Sequence, residues 1–495
     1  MVKLSANNLS LLNEKVKIPT YDRSELKTGI LHIGTGNFYR AHVAYYTDEI
    51  LNRNNSSWGI CGIGILESDS VMYHALKSQD SLYTLMVREP NGMLNIRIIG
   101  SVVENLFGPE NPLTVIEKMA DPDVKIISLT ITEGGYNFDA TTGSFIMSEP
   151  AIQWDLHHTD HPKSVFGYLT QALKRRRDRG LPGVTLLSCD NIQHNGDICR
   201  KMLMAFMKEA EPGLTEWTDN HITFPNSMVD RITPATPQSD INSLKAQYEI
   251  EDAWPVVCEP FIQWVIEDDF SNGRPLWESA GVQFVNDVSP YEKMKIRLLN
   301  AGHSLIGLLG SLIGYGSINE AVMDPLLGNI LRKFMDDEVT PLLGEMEGID
   351  LKMYKESLIQ RFANPYLKDR LSRICSESSA KIPKFLLPTI KEQLVRGGSI
   401  KIGTLILAAW CHYLERAGTP GYNYEIKDSM SDILKQGALD SASGDPLAFV
   451  KIDAVFGDLV HSSRFVNTYI PMINSMRDHG IERVIRQVLI LKQNQ

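Results

Sequence analysis

A short segment in the second half of the chain gathers side chains that could together remove a proton and stabilise an oxyanion. Lys295, Asn300 and His303 stand five and three residues apart, and Glu292 precedes Lys295 by three residues. At about 100° per residue, an α-helix would place all four on one side. A lysine acts as a base when burial and a nearby cation, here Arg297, lower its pKa. An asparagine amide and a histidine could then hold the alkoxide that such a base produces.

The spacing of this segment leaves a second interpretation open. Along a regular helix, Lys295 and His303 lie about 12 Å apart at about 1.5 Å per residue. A substrate with several hydroxyl groups must bridge that distance, or the helix must bend. Buried polar groups need partners, and a polar seam between two domains would supply them as well as a substrate would. The residues alone therefore predict either a catalytic helix or such a seam.

Two further groups of residues would suit a dinucleotide. Gly34-Thr35-Gly36 follows the first apolar run and precedes a helical pattern, where a Rossmann fold places its phosphate-binding turn. Tyr39 occupies the position of the third glycine of G-x-G-x-x-G. Glu67 and Asp69 follow the second apolar run, where a carboxylate would accept the ribose hydroxyls of NAD and repel a 2′-phosphate. The pattern favours NAD over NADP. The same residues would also be found if the glycines only formed a tight turn and the acids only capped a helix.

These residues belong to a chain whose two halves differ in pattern. The first half alternates apolar runs with helical patterns, as the βαβ units of a parallel sheet do. The predicted strands are 28–36, 58–66, 125–132 and 184–190, the predicted helices are 37–53, 68–79, 112–120, 164–179 and 195–210, and an antiparallel hairpin is predicted over 81–103. Extended segments occupy 223–287, and helical periodicity dominates beyond 289. We predict an α/β fold, with a Rossmann-type NAD-binding domain carrying extra antiparallel strands at 1–287 and a mostly α-helical domain at 288–495.

Composition argues against several classes of protein. The 495 residues carry 49 Lys and Arg against 60 Asp and Glu, and this net charge of −11 disfavours a nucleic-acid or anionic-membrane partner. The six cysteines form no C-x-x-C pair and no signal-peptide pattern is visible, so we expect reduced thiols in a cytoplasmic protein. Residues 298–319 carry no formal charge, but their polar residues and glycines favour a buried core helix over a membrane span. The histidines at 157, 158 and 161 lie in a proline-flanked loop, and we predict no metal site.

Six blocks of sequence resemble one family, the polyol-specific long-chain dehydrogenases and reductases, or mannitol dehydrogenase family. They are GTGNFYRAH (34–42), SLTITEGGY (128–136), SCDN followed by HNG (188–196), FPNSMVDRITP (224–234), DAWPVVCEPFIQWVIED (252–268) and K-x4-N-x2-H (295–303). The similarity covers essentially the whole chain. Two positions depart from the family pattern, since Tyr39 stands where histidine is common and Ala301-Gly302 replaces the usual residues before His303.

The resemblance implies a role for each candidate residue. Lys295 would be the general base, Asn191 and Asn300 would form an oxyanion hole, and His303 would hold the reacting oxygen. The resemblance implies contacts with other substrate hydroxyls for Asp230, Arg373 and Lys381. It implies a place on the proton path for Glu292. The residues implied to bind NAD are Gly34, Gly36, Phe38, Glu67, Asp69 and Glu133. Hydride would pass to the nicotinamide without a metal, in a cleft between the two domains.

The resemblance also implies the reaction, which is the NAD-dependent interconversion of a polyol and its 2-ketose. D-mannitol and D-fructose are the expected pair, handled by a monomer or weak oligomer. A fructuronate or tagaturonate reductase is an alternative, in which Arg373 or Lys381 would bind the substrate carboxylate, and a D-arabinitol dehydrogenase is another. A catalytically silent nucleotide-binding regulator is a third. Tyr291-x-x-x-Lys295 also has the spacing of short-chain dehydrogenases, but here it lies beyond the sheet domain.

Overall fold

The alternating pattern of the first half folds into a parallel sheet flanked by helices, and the second half folds into helices. A computed structural model describes residues 1–54, 56–139, 142–367, 369–422 and 424–490. The chain divides into two units, Met1–Ser289 and Pro290–Gln495. The predicted fold class, a Rossmann-type domain with additional strands followed by a mostly helical domain, is confirmed.

Among the described residues, the first unit contains all of the β-strands and ten of the α-helices. The strands are β1 (Val2–Lys3), β2 (Lys27–Ile33), β3 (Trp58–Gly64), β4 (Tyr83–Arg88), β5 (Leu94–Ile99), β6 (Val102–Phe107), β7 (Ile126–Leu129), β8 (Thr185–Ser188), β9 (Ser227–Asp230), β10 (Ile250–Glu251), β11 (Val256–Cys258), β12 (Gln263–Glu267) and β13 (Gln283–Val285). The helices are α1 (Asn37–Ala41), α2 (Val43–Arg53), α3 (Ser70–Lys77), α4 (Pro112–Met119), α5 (Thr132–Gly135), α6 (Pro150–Asp155), α7 (Val165–Asp178), α8 (Asn195–Ala210), α9 (Thr215–His221) and α10 (Gln238–Tyr248). Short 3₁₀ turns occupy Ala6–Leu11, Arg23–Glu25, Glu67–Asp69, Pro212–Leu214 and Trp277–Ala280.

The central sheet has five parallel strands in the order β6-β3-β2-β7-β8. Alternate residues of a strand face opposite sides, so a strand buried on both faces must be apolar throughout. Ile30 and Ile126 accordingly pack in one core cluster, and Leu31 and Ile127 in another. Because the strands are parallel, the loops that follow β2, β3, β7 and β8 leave from one edge of the sheet, where open α/β folds bind ligands.

Three predicted elements of this unit differ in the structure. The hairpin β4–β5 ends at Ile99, and Val102–Phe107 instead forms the edge strand β6, parallel to β3. The single helix predicted over 37–53 is divided at His42, whose backbone angles of φ −125° and ψ −83° are not helical. Helix α10 lay within a segment predicted to be extended. Its buried residues are only Asp240 and Leu244, so it has little of the apolar periodicity that marks a helix.

The second unit consists of helices, two of which are continued by a π-helical segment. Its α-helices are α11 (Ser289–Lys295), α12 (Ala301–Ile313), α13 (Ile318–Met323), α14 (Pro325–Lys333), α15 (Leu351–Phe362), α16 (Leu371–Ile374), α17 (Ser378–Phe385), α18 (Leu387–Arg396), α19 (Lys401–Arg416), α20 (Ser431–Ser443), α21 (Asp453–Phe456), α22 (Ser463–His479) and α23 (Ile481–Ile490). The π-helical segments are Ile296–Asn300 and Phe334–Val339. Short 3₁₀ turns occupy Thr340–Leu342, Phe449–Lys451 and Gly457–His461.

Helix α12 lies at the centre of this unit and contacts α13, α14, α16, α17, α19 and α23. Its glycines permit this packing, because a Cβ on Gly310 would lie 2.8 Å from the Cβ of Ala321. The continuous helical stretch Ser289–Ile313 is long and apolar enough to cross a membrane by composition alone, but 83 % of its most apolar window is buried inside the protein. Residues 298–313 of the charge-free segment are therefore part of a core helix, as predicted, and the segment continues beyond the end of that helix.

Candidate active site

The turn after β2 has the backbone geometry that a dinucleotide requires. Gly34 has φ +94°, and a Cβ there would lie 2.0 Å from the carbonyl oxygen of Thr130, so only glycine fits. Gly36 precedes α1, and no atom lies within 4 Å of the position of a Cβ on it. Phe38, on the first turn of α1, stacks on His42 with 4.8 Å between the ring centroids. The open backbone at Gly36 fits the approach of a diphosphate to this turn.

A buried histidine, which was not predicted from the sequence, is hydrogen-bonded through Thr130 to the glycine turn. His32 Nε2 lies 2.8 Å from Thr130 Oγ1, and Thr130 Oγ1 donates to the Gly34 carbonyl at 2.6 Å. The onward bond of Thr130 is short, whereas that from Ser128 Oγ to the Leu31 carbonyl is 3.4 Å, so the network favours the proton on Nε2, with Nδ1 accepting from Ser128 Oγ at 2.7 Å. Burial lowers the pKa of His32 to about 3, so the ring is neutral. A polar residue inside an otherwise apolar strand is the signal that could have revealed it.

Tyr39, which stands in place of the third glycine, packs on this histidine. The two rings stack with their centroids 3.8 Å apart and an interplanar angle of 10°. In a Rossmann fold the third glycine allows close packing of helix on strand. Here an aromatic stack between α1 and β2 fills that space, so the departure from the motif is accommodated within the fold.

The two acids after β3 have different surroundings. Asp69 Oδ2 accepts a hydrogen bond from the Leu66 backbone N–H at 3.0 Å and closes a capping box around Glu67–Asp69. The Glu67 carboxylate is exposed and has no hydrogen bond or ion pair with the described part of the chain. The capping interpretation therefore applies to Asp69, and Glu67 is the acid whose oxygens remain available to a ribose.

Three more of the predicted residues lie at the end of β9 or in the segments that follow β7 and β8. Glu133 lies in α5 and is exposed, and Asn191 is exposed three residues after the end of β8. Asp230 is the last residue of β9 and is only 4 % exposed. Between β8 and Asn191 lies Asp190, a buried carboxyl that accepts hydrogen bonds from the loop carrying Glu133.

The polar helix of the second unit is not a regular α-helix. Lys295 ends α11, Ile296–Asn300 is π-helical, and α-helix resumes at Ala301. A π turn closes hydrogen bonds over five residues instead of four, so the angular position of every later residue shifts. The assumption of a regular α-helix from Glu292 to His303 is therefore wrong. Single π turns of this kind occur frequently at functional sites.

Three polar side chains of this helix are buried. Glu292, Lys295 and Asn300 are 4 %, 7 % and 8 % exposed. Asn300 Oδ1 is buried and accepts no hydrogen bond from any described residue. His303 stacks on Phe362 with 4.2 Å between the ring centroids, which holds the plane of the imidazole. A buried amide oxygen without a donor is costly, so a hydroxyl donor brought by a ligand would be favoured there.

The cation expected to act on Lys295 is already paired. Both terminal nitrogens of Arg297 donate to the Glu392 carboxylate, one of them at 2.9 Å, and Lys293 Nζ lies 3.0 Å from the same group. Hydrogen bonding to Arg297 lowers the pKa of Glu392 to about 2, so this carboxylate is ionised at neutral pH. The charge of Arg297 is thus offset by the ionised Glu392 carboxylate.

Two predicted substrate contacts have partners within the second unit. Arg373 forms a two-point ion pair with the buried Asp369, with Nε 2.6 Å from Oδ1, which raises the pKa of the guanidinium. Lys381 Nζ donates to the carbonyl oxygens of Ile374 at 3.2 Å and Ser376 at 2.5 Å. Burial and the nearby Arg373 lower the pKa of Lys381. The spacing of four residues between Asp369 and Arg373 is the signal from which the pair could have been expected.

The three histidines of the histidine-rich loop lie at the surface. His157, His158 and His161 are exposed, and His158 stacks on Trp154 with its Nδ1 2.9 Å from the Trp154 carbonyl oxygen. Over the described ranges, no three His, Cys, Asp or Glu side chains are grouped to hold a metal ion. All six cysteines are buried free thiols.

Comparison with known proteins decides the family. The model of the mannitol dehydrogenase Rossmann domain matches residues 28–279, and that of the mannitol dehydrogenase C-terminal domain matches residues 287–477. The chain belongs to the mannitol dehydrogenase family. The predicted family and the predicted class of enzyme, a dehydrogenase, are thereby confirmed.

Relatives within the mannitol dehydrogenase family align with almost the whole chain. Mannitol 2-dehydrogenase of Phaeosphaeria nodorum is 43 % identical over 98 % of this chain and 85 % of its own length. Pseudomonas fluorescens mannitol 2-dehydrogenase, solved as a ternary complex with NAD and D-mannitol, is 42 % identical with a TM-score of 0.89 over 99 % of this chain and 100 % of that one. A D-sorbitol dehydrogenase solved in substrate-free form is 35 % identical with a TM-score of 0.90, over 98 % of this chain and 100 % of that one.

Proposed function

We propose that the protein is an NAD-dependent polyol dehydrogenase that interconverts D-mannitol and D-fructose. The observation that carries the proposal is the similarity to the Pseudomonas fluorescens enzyme, whose structure holds NAD and D-mannitol and which aligns with 99 % of this chain at 42 % identity. The geometry is consistent with it, because the chain combines a glycine turn suited to a dinucleotide with a buried helix carrying a lysine, an amide and an imidazole.

The residues of the first unit fit NAD. The open backbone at Gly36 and the tight turn at Gly34 would hold the diphosphate, and the free carboxylate of Glu67 would accept the ribose hydroxyls. A negative charge at that position disfavours the 2′-phosphate of NADP. Phe38, Asp69 and Glu133 keep their predicted roles as further contacts. Bound NAD supplies the acceptor for the hydride that leaves the carbinol carbon.

The residues of the second unit would remove the hydroxyl proton and stabilise the alkoxide oxygen. In the proposed mechanism Lys295, acting as the neutral amine, takes the hydroxyl proton as hydride leaves. Asn300 and Asn191 donate their amide N–H groups to the developing alkoxide, and His303 holds the same oxygen. The unsatisfied Asn300 Oδ1 is then free to accept a second hydroxyl of the polyol. With three such donors on the oxygen, the mechanism requires no metal.

The remaining predicted residues would recognise the other hydroxyl groups of the substrate. Asp230 is buried and can accept a hydroxyl hydrogen, and Glu292 is proposed to relay the proton from Lys295. Arg373 keeps N–H donors beyond those that pair with Asp369, because a guanidinium has five. Lys381 is proposed to contact the same end of the substrate. A uronate in place of the polyol would need these two cations for its carboxylate.

The substrate is tested by offering NADH with D-fructose, D-xylulose or D-fructuronate in parallel, with a chelator present, and by offering NAD with mannitol, sorbitol or arabinitol. We expect fructose and mannitol to give the highest kcat/KM. A preference for fructuronate would replace the proposal with a uronate reductase, and a preference for arabinitol with an arabinitol dehydrogenase. NADH binding without turnover of any substrate would indicate the silent regulator. Loss of activity in the chelator would contradict the metal-free mechanism.

The base is tested with Lys295→Ala. We expect kcat to fall about 10²- to 10⁴-fold, because a positioned acid–base group contributes about that much. NADH affinity, measured by protein fluorescence quenching, should stay near that of the unmodified protein. Lys293→Ala is the matched control, since it removes a lysine of the same helix that pairs with Glu392. Full activity of the Lys295 variant would show that another group takes the proton.

A further inference from the structure

A buried carboxyl group at the edge of the central sheet has no role in the function proposed so far. Asp190 follows β8 and is 7 % exposed. Its Oδ1 accepts a hydrogen bond from the Thr132 backbone N–H at 2.8 Å, and its Oδ2 accepts from the Ile131 N–H at 3.0 Å and the Tyr136 hydroxyl at 2.7 Å. Within the described residues no cationic side chain touches it. Three dipoles therefore hold this carboxylate, where a single counter-ion would be usual.

The two N–H groups belong to a turn with an unfavourable backbone. Thr132 has φ +60°, a left-handed conformation that a β-branched residue rarely adopts. Such a conformation persists only where surrounding contacts hold it, and the Asp190 carboxylate supplies two of them at successive N–H groups. The next residue is Glu133, which is predicted to contact the cofactor. The position of Glu133 thus depends on Asp190.

The backbone of Asp190, like its side chain, accepts a hydrogen bond from the side chain of another residue. Asn195 Nδ2 donates to the Asp190 carbonyl at 3.0 Å and to the Ser227 carbonyl at 2.8 Å. The Tyr136 hydroxyl that reaches Asp190 also lies 2.6 Å from Ser188 Oγ, at the end of β8. The residue after Asp190 is Asn191, the proposed alkoxide donor of this unit. One residue consequently joins the segment carrying Asn191 to the turn carrying Glu133.

We propose that ionised Asp190 is a positioning residue, which orients Asn191 towards the reacting oxygen and holds the turn of Glu133 for the cofactor. The proposal rests on the function proposed above for its effect on turnover. A protonated carboxyl would present a hydroxyl to an N–H donor and lose one of its acceptors. Asp190 therefore makes the geometry of both loops depend on pH.

The surroundings of Asp190 support a titration in the range where the enzyme can be assayed. Burial raises the pKa of Asp190 to about 6. The titratable groups that face it are the Tyr136 hydroxyl and the thiols of Cys189 and Cys199, and burial raises the pKa of each of these, so they are uncharged near neutral pH. The hydrogen bond from Tyr136 lowers the pKa of Asp190, so its removal should raise that pKa.

The test compares the pH dependence of kcat/KM and of NADH affinity in three variants between about pH 5 and pH 8. In the unmodified protein we expect kcat/KM and NADH affinity to decrease as the pH is lowered below about 6, and we call this decrease the acidic limb of the profile. Tyr136→Phe should move this limb to higher pH, because the carboxylate loses a donor. Asp190→Asn should lower kcat/KM by about 10- to 100-fold and remove the limb, since a small displacement of a reacting group costs about that much. Asp178→Asn, at an exposed carboxylate of α7, is the matched control and should change neither quantity.

The outcomes separate this inference from the proposed function. If no polyol or ketose is turned over, the NADH affinity profile alone tests Asp190. A limb that is absent from the unmodified protein, or that stays in place in Tyr136→Phe, overturns the inference even if polyol activity is high. If Asp190→Asn does not fold, the Tyr136→Phe profile decides. A purely structural role would lower the melting temperature of the variants without moving the limb.

Discussion

At the scale of single residues, Glu67 is the side chain that we expect to select the nucleotide. Its carboxylate is exposed, whereas Asp69 is engaged at the Leu66 N–H. Glu67→Ser removes the negative charge near the expected 2′-position. We expect kcat/KM with NADP to rise about 5- to 10-fold relative to NAD, the size of one like-charge repulsion at about 4 Å in water. Steady-state kinetics with both nucleotides measures the ratio.

Asp69→Asn serves as the comparison for this prediction. Asparagine keeps one oxygen for the Leu66 N–H, so the short turn Glu67–Asp69 should persist while the charge is lost. We expect a smaller change in the NADP to NAD ratio than in Glu67→Ser. The reverse order would move the selecting role from Glu67 to Asp69.

At the scale of an element, the turn between β2 and α1 depends on a chain of hydrogen bonds from β7. Thr130 accepts from His32 and donates to Gly34. Thr130→Val has nearly the same shape but leaves the imidazole N–H and the glycine carbonyl without this partner. We expect a loss of roughly 1–3 kcal/mol in the free energy of unfolding, the cost of an unsatisfied buried group. We also expect weaker NADH binding, measured by titration calorimetry.

Thr170→Val is the control for this substitution. Thr170 is fully buried in α7, and its hydroxyl has no hydrogen-bond partner in the described part of the chain. The same change of side chain there should leave stability unchanged or raise it, with NADH affinity unaltered. Equal effects of the two substitutions would show that the hydrogen-bond chain does not support the turn.

At the scale of the whole molecule, buried carboxyl groups make stability depend on pH. Glu338 is 1 % exposed and accepts hydrogen bonds from Ser399 Oγ and from the Ile402 and Gly403 N–H groups that begin α19. Burial raises the pKa of Glu338 to about 7. The folded protein therefore binds a proton more tightly than the unfolded chain, whose glutamate pKa is near 4.3.

This difference has a definite sign. The stabilisation is fully present below about pH 4.3 and is lost as pH rises through about 7, with an amplitude on the order of 3 kcal/mol. Asp190 contributes in the same direction through its own raised pKa. Glu338→Gln should flatten the fall in melting temperature between about pH 5 and pH 8, measured by calorimetry against the unmodified protein. An unchanged slope would mean that Glu338 does not titrate in this range.

Local pattern was sufficient to predict the main elements of the first unit. The ends of the helices α4, α7 and α8 lie within one residue of those expected, those of the strands β3 and β8 within two, and those of β2 and β7 within three. This works because a strand buried on both faces and an amphipathic helix each carry their own signal. Local pattern did not predict β6, whose first residues were assigned to the hairpin. The reason is that β6 pairs with β3, which is distant in sequence.

The amino-acid sequence by itself determined the family, the two-part fold and the candidate residues, since these depend on residue types and spacings. Only the tertiary structure showed which partners those residues have. It placed a π turn between Lys295 and His303, paired Arg297 with Glu392, and separated the capping Asp69 from the available Glu67. It also showed that Asp190 ties two loops together. Such contacts join residues from distant parts of the chain, and their geometry is set by packing, which local periodicity does not encode.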